Sequence, residues 1–240
     1  MAFRNAQQSR VYVGGLAAAC YARNASASSA TGMLDTTTLC DEERNFIPEM
    51  EDVGTFSVGG PLDVDGSSDT MFDITITEKG ATTPTPVTFM PVGTDGAAWL
   101  VQANETEFTA DNSTGATANW SMSAQTHGQH DMAGLVLDDD TVTADQNAAS
   151  VDNGAATTNG AVFHLHVTAF SGFTSDDITV EGSATGSFAG EESTIATFAQ
   201  VTGVSAERVA VTGSVPRYLR VVDDVTGTGS ITRIVICSRR

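Results

Sequence analysis

Histidines and carboxylates are the residues in this chain whose types and spacing could do chemistry. His164 and His166 form an H-x-H pair in VFHLHVT. Two imidazoles at i, i+2 on a strand project from one face and can share a metal ion. No third ligand follows at a usable spacing, so the pair reads as a polar sheet face at a subunit contact, and no metal is assigned. The stretch DVDGSSD (63–69) starts like a calcium loop with Asp63 and Asp65. Gly66 then comes at the fourth position instead of the sixth, and the closing Glu is missing, so a hairpin tip carrying acids is the reading. Carboxylate pairs such as Asp138/Asp139 and Asp176/Asp177 are adjacent in sequence, where solvated loop acids are expected.

Enzyme signatures are absent. There is no G-x-S-x-G, no phosphate-binding loop, no G-x-G-x-x-G after a strand and no H-E-x-x-H. His127, His130, His164 and His166 are the only histidines, and none has a nucleophile beside it. Cys20, Cys40 and Cys237 make an odd set without C-x-x-C spacing, which suits small buried hydrophobes better than a disulfide framework. Neither catalytic residues nor a cofactor is expected.

Composition narrows the partners. Among 240 residues the formal net charge is −19, and Lys79 is the only lysine. Arginines gather towards the two ends: Arg4, Arg10, Arg23 and Arg44, then Arg208, Arg217, Arg220, Arg233, Arg239 and Arg240. Specific nucleic-acid binding needs a basic footprint to neutralise phosphates, and this chain offers the opposite. A lysine-poor acidic surface fits a protein that stays soluble in high salt, where self-repulsion is screened. No apolar run approaches the ~18 residues of a membrane span, and no membrane association is expected.

The elements that must position these residues are strands. Met71–Thr77 alternates cleanly, with Phe72, Ile74 and Ile76 on one face. Val162–Phe170 does the same with Phe163, Leu165 and Val167. Short strand-like segments recur to Cys237, parted by Gly, Asn and Asp turns, which is the rhythm of an antiparallel sandwich or barrel. Trp99 and Trp120 read as core anchors. The chain is parsed as an N-terminal arm (1–15) and a single β-sandwich domain (16–240), with long loops near 81–86 and 145–160. One short helix is expected near 38–46. Thr38 would cap it, and Asp41, Glu42 and Glu43 would fill the first turn. Pro48 would limit it to about two turns. A helix so short is marginal alone, so Leu39, Phe46 and Ile47 must dock on a surface.

The order of segments resembles the tail tube proteins of long-tailed, non-contractile viruses. The resemblance is carried by TTTLCDEERNFIPEMEDVGTFSVGG (36–60), by Trp99 with the strands after it, by GAATTNGAVFHLHVTAFSG (154–172), and by PRYLRVVDD with ITRIVICSRR near the end. It implies an all-β fold of sandwich or barrel type, flanked by the helix. It also implies a structural virion protein, made in the host cytoplasm, whose hexameric rings stack into a tube that conducts DNA without binding it specifically. Partners would be further copies of the chain and the tape measure, tail terminator and distal tail proteins. Leu39, Arg44, Phe46, Ile47 and Pro48 are the expected subunit contacts. The lysine-poor, acidic makeup would suit a virus of salt-loving archaea. The alternatives from other classes are a carbohydrate- or receptor-binding β-sandwich and a capsid decoration protein.

Overall fold

The computed structural model describes residues 9–18, 22–38, 40, 42–61, 80–94, 97–111 and 118–240. The expected strand at Met71–Thr77, the acidic stretch 63–69, Lys79, Cys20 and Leu39 lie outside them. The described chain is built from antiparallel β-strands, so the all-β expectation holds.

The strands in chain order are β1 (Arg10–Val13), β2 (Leu16–Ala17), β3 (Asn24–Asp35), β4 (Phe46–Pro61), β5 (Thr85–Met90), β6 (Ala98–Asp111) and β7 (Asn119–Val142). Then come β8 (Gln146–Asn147), β9 (Val151–Asp152), β10 (Ala161–Ser183), β11 (Ser193–Thr197), β12 (Ser205–Val211) and β13 (Tyr218–Arg239). They form two compact units. One comprises Met1–Cys20, Thr85–Leu100 and Asp131–Arg240; the other comprises Tyr21–Pro84 and Val101–His130.

The larger unit is organised by β10 and β13, which pair along their whole length from Ala161↔Arg239 to Ser183↔Tyr218. β12 pairs with the first half of β10 and β11 with its second half, while β13 takes the end of β7 on its other side. Alternation along β10 and β13 sends side chains to two faces. Phe163, Leu165, Val167, Ile231, Val235 and Cys237 enter one core. Val162, Ile234 and Ile236 enter another, with Tyr12, Met90, Ala98 and Leu100 from β1, β5 and β6. Both faces are covered, which is why Ile231–Cys237 reads as an apolar run interrupted only at Thr232 and Arg233. Each fully buried aliphatic or aromatic side chain here contributes roughly 1.5–3 kcal/mol.

The long β10–β13 ladder bends where its register shifts, between Val167/Ala169, Ser171/Phe173 and Phe173/Ser175. Glycine makes the bend possible. Gly172 sits at φ +79°, and a Cβ on Gly229 would collide with the Ser171 carbonyl oxygen and the Phe173 nitrogen. Gly229→Ala is expected to cost about 1–3 kcal/mol, since backbone on both strands must move. Gly203, which has open space at its Cβ position, supplies the control. Its alanine variant should stay within about 0.5 kcal/mol in urea denaturation.

The smaller unit is the β3–β4 hairpin with the first part of β7 and most of β6. β4 pairs with β3 along one edge, and with β7 from Thr55↔Gln125 to Pro61↔Asn119 along the other. Phe56, Val58, Trp120 and Met122 are buried in it. Trp120 stacks on Phe108 at 6.5 Å, as an anchor should, whereas Trp99 is only half-buried.

The expected helix at 38–46 has no helical residue among those described, and Phe46 already belongs to β4. The described residues between β3 and β4 make the end of a long hairpin. Thr36 N donates to the Asn45 carbonyl at 2.9 Å, and Asn45 N donates to the Thr37 hydroxyl at 3.0 Å. Thr37 N donates to the Asp35 carboxylate at 2.9 Å. The physical reason is that Thr and Asp side chains satisfy backbone groups equally well at a helix start and at a turn. The apolar stripe was too thin to tip the balance towards a helix. The loop expected at 81–86 is shorter than thought, because β5 begins at Thr85 and runs through Pro86. The loop expected at 145–160 is laced to the sheet by β8 and β9, which pair with β13, and by a bridge from Thr157 to Val215. Arg10–Val13, expected in the arm, pairs with β5 as β1.

Candidate interaction surface

The end of the β3–β4 hairpin is apolar on both faces. Across it, Leu34 stands opposite Ile47, Asp35 opposite Phe46, and Met33 opposite Pro48. Directly opposed residues share a face and neighbours along a strand do not. Leu34 and Ile47 therefore lie on one side, Met33 and Phe46 on the other. All four are exposed, at 48%, 51%, 58% and 45%. They make up four of the six large hydrophobics exposed among the described residues, the others being Met132 and Val204. Around them, Asp35, Glu42, Glu43 and Arg44 are exposed, and Arg44 makes no ion pair among the described residues.

Of the residues expected to make contacts, Arg44, Phe46 and Ile47 are thus brought together at one exposed end. Pro48 follows them in β4, and Leu39 lies outside the described residues. Sequence reasoning missed Met33 and Leu34. The signal for them was present: MLD and NFI flank the Thr-rich turn as mirror-image apolar pairs, the pattern of a hairpin end. Among the described residues β3 pairs with β4.

Elsewhere the polar residues face inward. His164 and His166 are both fully buried, so they are not an exposed sheet face at a subunit contact. The layer of β1 and β5 covers them, which alternation within one strand cannot reveal. The His166 Nδ1–H donates to the Gly14 carbonyl at 2.7 Å. Its Nε2 then accepts from the Thr88 hydroxyl at 2.8 Å. Having given its one proton, Thr88 accepts from His164 Nδ1–H at 3.1 Å. This assignment leaves the His164 Nε2 lone pair buried without a partner among the described residues. Burial, with His166 and Arg208 nearby, holds His164 well below the usual imidazole range, and burial lowers His166 to about 4. Both rings are neutral at pH 7. No three metal-ligating side chains converge among the described residues.

The acids expected in solvated loops lie on strands, and two of them, Asp138 and Asp139, have arginine partners. Arg233, 1% exposed, donates Nε to Asp223 at 2.7 Å and NH1 to Asp138 at 2.8 Å, and its NH2 also reaches Asp223. Arg240 and Arg208 both approach the buried Asp131, at 3.0 and 3.6 Å. Arg10 pairs with Asp139, Arg217 with Asp152 and Arg220 with Glu181. Arg10, Arg208, Arg217, Arg220, Arg233 and Arg240 thus each meet an acid of the same chain.

No family model and no curated protein matches this chain. Among solved structures, it is similar to the tail of an empty gene transfer agent particle, refined with helical C6 symmetry. The identity is 14%, over 47% of this chain and 81% of that one, with a TM-score of 0.39. It is similar to a chain of the PVC sheath–tube complex, an extracellular contractile injection system in its extended state. There the identity is 12%, over 52% and 88%, with a TM-score of 0.42. It is also similar to the SPP1 Dit protein, a hub adsorption protein of phages infecting Gram-positive hosts, at 12% identity over 96% and 98%, with a TM-score of 0.35. Likenesses of this size describe partial overlap of β architecture and carry no argument about function.

Proposed function

We propose that this chain is a structural subunit of a viral tail, polymerising as stacked hexameric rings into the tube of a long-tailed, non-contractile virus. The observation that carries this reading is the β3–β4 hairpin end, exposed and apolar on two faces at once. A surface apolar on one face can settle on one partner; an end apolar on both faces is buried only by insertion between two surfaces. Repeating copies in an assembly supply two such surfaces, and a self-repelling acidic chain has little other reason to expose Met33, Leu34, Phe46 and Ile47 together. The resemblance of its segments to tail tube proteins agrees with that reading.

In this proposal Arg44, Phe46, Ile47 and Pro48 contact neighbouring copies, and Leu39 joins them. The acid excess keeps DNA from sticking as it passes through the lumen. The tape measure, tail terminator and distal tail proteins meet the ends of the tube, and the virion is where the protein resides. A haloarchaeal host would explain the near absence of lysine. Sugar binding is the weaker reading, because of the two tryptophans that could stack on a sugar Trp120 is buried and Trp99 half-buried.

The double variant Phe46→Asp/Ile47→Asp tests the proposal. Wild-type protein at high salt should form hollow tubes of stacked rings in negative stain. The variant should stay monomeric in light scattering with an unchanged far-ultraviolet dichroism spectrum, since both side chains are already half in water. Tubes of undiminished yield from the variant, or discrete glycan-binding trimers from the wild type, would sink it.

A further inference from the structure

Asp176 on β10 is completely buried, and among the described residues neither of its carboxylate oxygens receives a hydrogen bond. An ionised carboxylate left this way is among the costliest groups a protein can bury. Its surroundings explain why no donor is left for it. On β13, Asp223 already takes two guanidinium nitrogens of Arg233, and Arg233 gives its third to Asp138 of β7. On its own strand, Asp177 is held by the Gln200 amide at 3.1 Å. Asp224 on β13 stands opposite Asp177 in the ladder. Glu207 of β12 accepts from Ala199 N at 2.7 Å, and Asp145 accepts from Val225 N at 2.9 Å, Val225 being the ladder partner of Asp176. One guanidinium thus serves two carboxylates, and the third has none.

The same residue fastens a loop. Asp176 N donates to the Val201 carbonyl and Val201 N to the Asp176 carbonyl, both at 2.9 Å, while Phe198 N donates to the Ile178 carbonyl at 3.1 Å. Phe198 and Val201 are buried in the main core of the larger unit. The segment between β11 and β12 is therefore pinned to β10 at the residue whose carboxyl lacks a partner.

We infer that Asp176 holds a proton in the folded chain, donating it towards Asp223, and that its loss loosens residues 198–201, making this junction a pH-sensitive latch. Asp223 can only accept, so a bond between the two carboxyls requires that proton. Burial foremost, then the charge of Asp223, pushes the Asp176 carboxyl up to about 7 despite Arg233. Below that pH the latch is closed. Above it, the new charge adds to those of Asp223 and Asp177 with no further cation at hand. Deprotonation then drives water towards Asp176 and strains the two backbone bonds to Val201.

Hydrogen exchange on the full chain, followed by mass spectrometry from about pH 5.5 to about pH 8.5 and corrected for intrinsic rates, tests this. Because the deprotonated fraction rises about tenfold per pH unit below the midpoint, exchange of the amides at 198–201 should speed up about tenfold on approaching pH 7 and then level off. Asp176→Asn, which keeps the shape and cannot titrate, should show no such rise. A flat wild-type profile, or the same rise in the variant, would overturn the latch. Should the variant fail to fold, carbon-13 titration of the Asp176 carboxyl in the wild type decides: a midpoint near 7 supports the proposal and one below about 5 overturns it.

Discussion

Arg233→Met is expected to destabilise the larger unit by about 3–5 kcal/mol, seen as a shift of the urea midpoint at neutral pH. Arg233 is among the largest fully buried side chains, and its guanidinium lies between Asp223, 1% exposed, and the half-buried Asp138. Removing one partner of a buried ion pair leaves the other charged and dry, and that remnant accounts for most of the loss. Here the remnant is the carboxylates of Asp223 and Asp138, beside the protonated carboxyl of Asp176. Repulsion should drive protons onto it, so the variant ought to regain stability as the pH is lowered towards about 5. Arg233→Met combined with Asp223→Leu should recover much of the loss, since apolar replacements of buried ion pairs are often neutral or better. A single variant within about 1 kcal/mol of wild type would show that water already reaches the site and that the ion pair is worth no more than a surface one.

That cluster also shows where sequence ran out. The strand rhythm of VFHLHVTAF and ITRIVIC was legible because alternating apolar residues need only local reading, and both strands lie at the centre of the larger unit. Asp138, Asp139 and Asp140 looked like a solvated cap because three acids in a row rarely belong to a strand. They belong to β7 here because Arg233 and Arg10, distant in sequence, meet two of them. Similarly, Gln146 and Asn147 read as loop until β13 is present to pair with them. The hairpin end was half-legible. Phe46 and Ile47 are expected to dock as part of a helix that none of the described residues adopts, and what the structure shows of them is exposure on a strand. Thr36, Thr37 and Asp35 close a turn with the hydrogen bonds they would have used to start that helix, and nothing local distinguishes the two. What a strand pattern cannot supply is the second layer, and that layer turned the two histidines from surface groups into core ones.

The last expectation concerns two buried groups whose titrations oppose each other. His166 is lowered from 6.5 to about 4, so the folded state prefers the neutral ring. Its stabilising contribution is complete above the unfolded pKa, and is lost as the pH falls from about 6.5 to about 4. At about 1.4 kcal/mol per pKa unit the loss is roughly 3 kcal/mol. His164, buried beside it, acts in the same direction. Asp176 is raised from 3.8 to about 7, so the folded state prefers the protonated acid. Its contribution is present below the unfolded pKa and is lost as the pH rises to about 7, a change on the order of 4 kcal/mol. Across the shared window the imidazole and carboxyl slopes have opposite signs, and with two imidazoles against one carboxyl the wild type should lose stability mildly from about pH 7 to about pH 5. The variants should separate them. Asp176→Asn leaves the histidines alone and should lose stability on acidification. His166→Gln, whose amide can still donate to the Gly14 carbonyl, leaves His164 alone against Asp176 and should flatten the profile. Urea midpoints of the three proteins at about pH 5 and about pH 7 are the measurement. If both variants follow the wild-type profile, neither group titrates in this window, and the buried carboxyl and the buried imidazole are both better solvated than their surroundings imply.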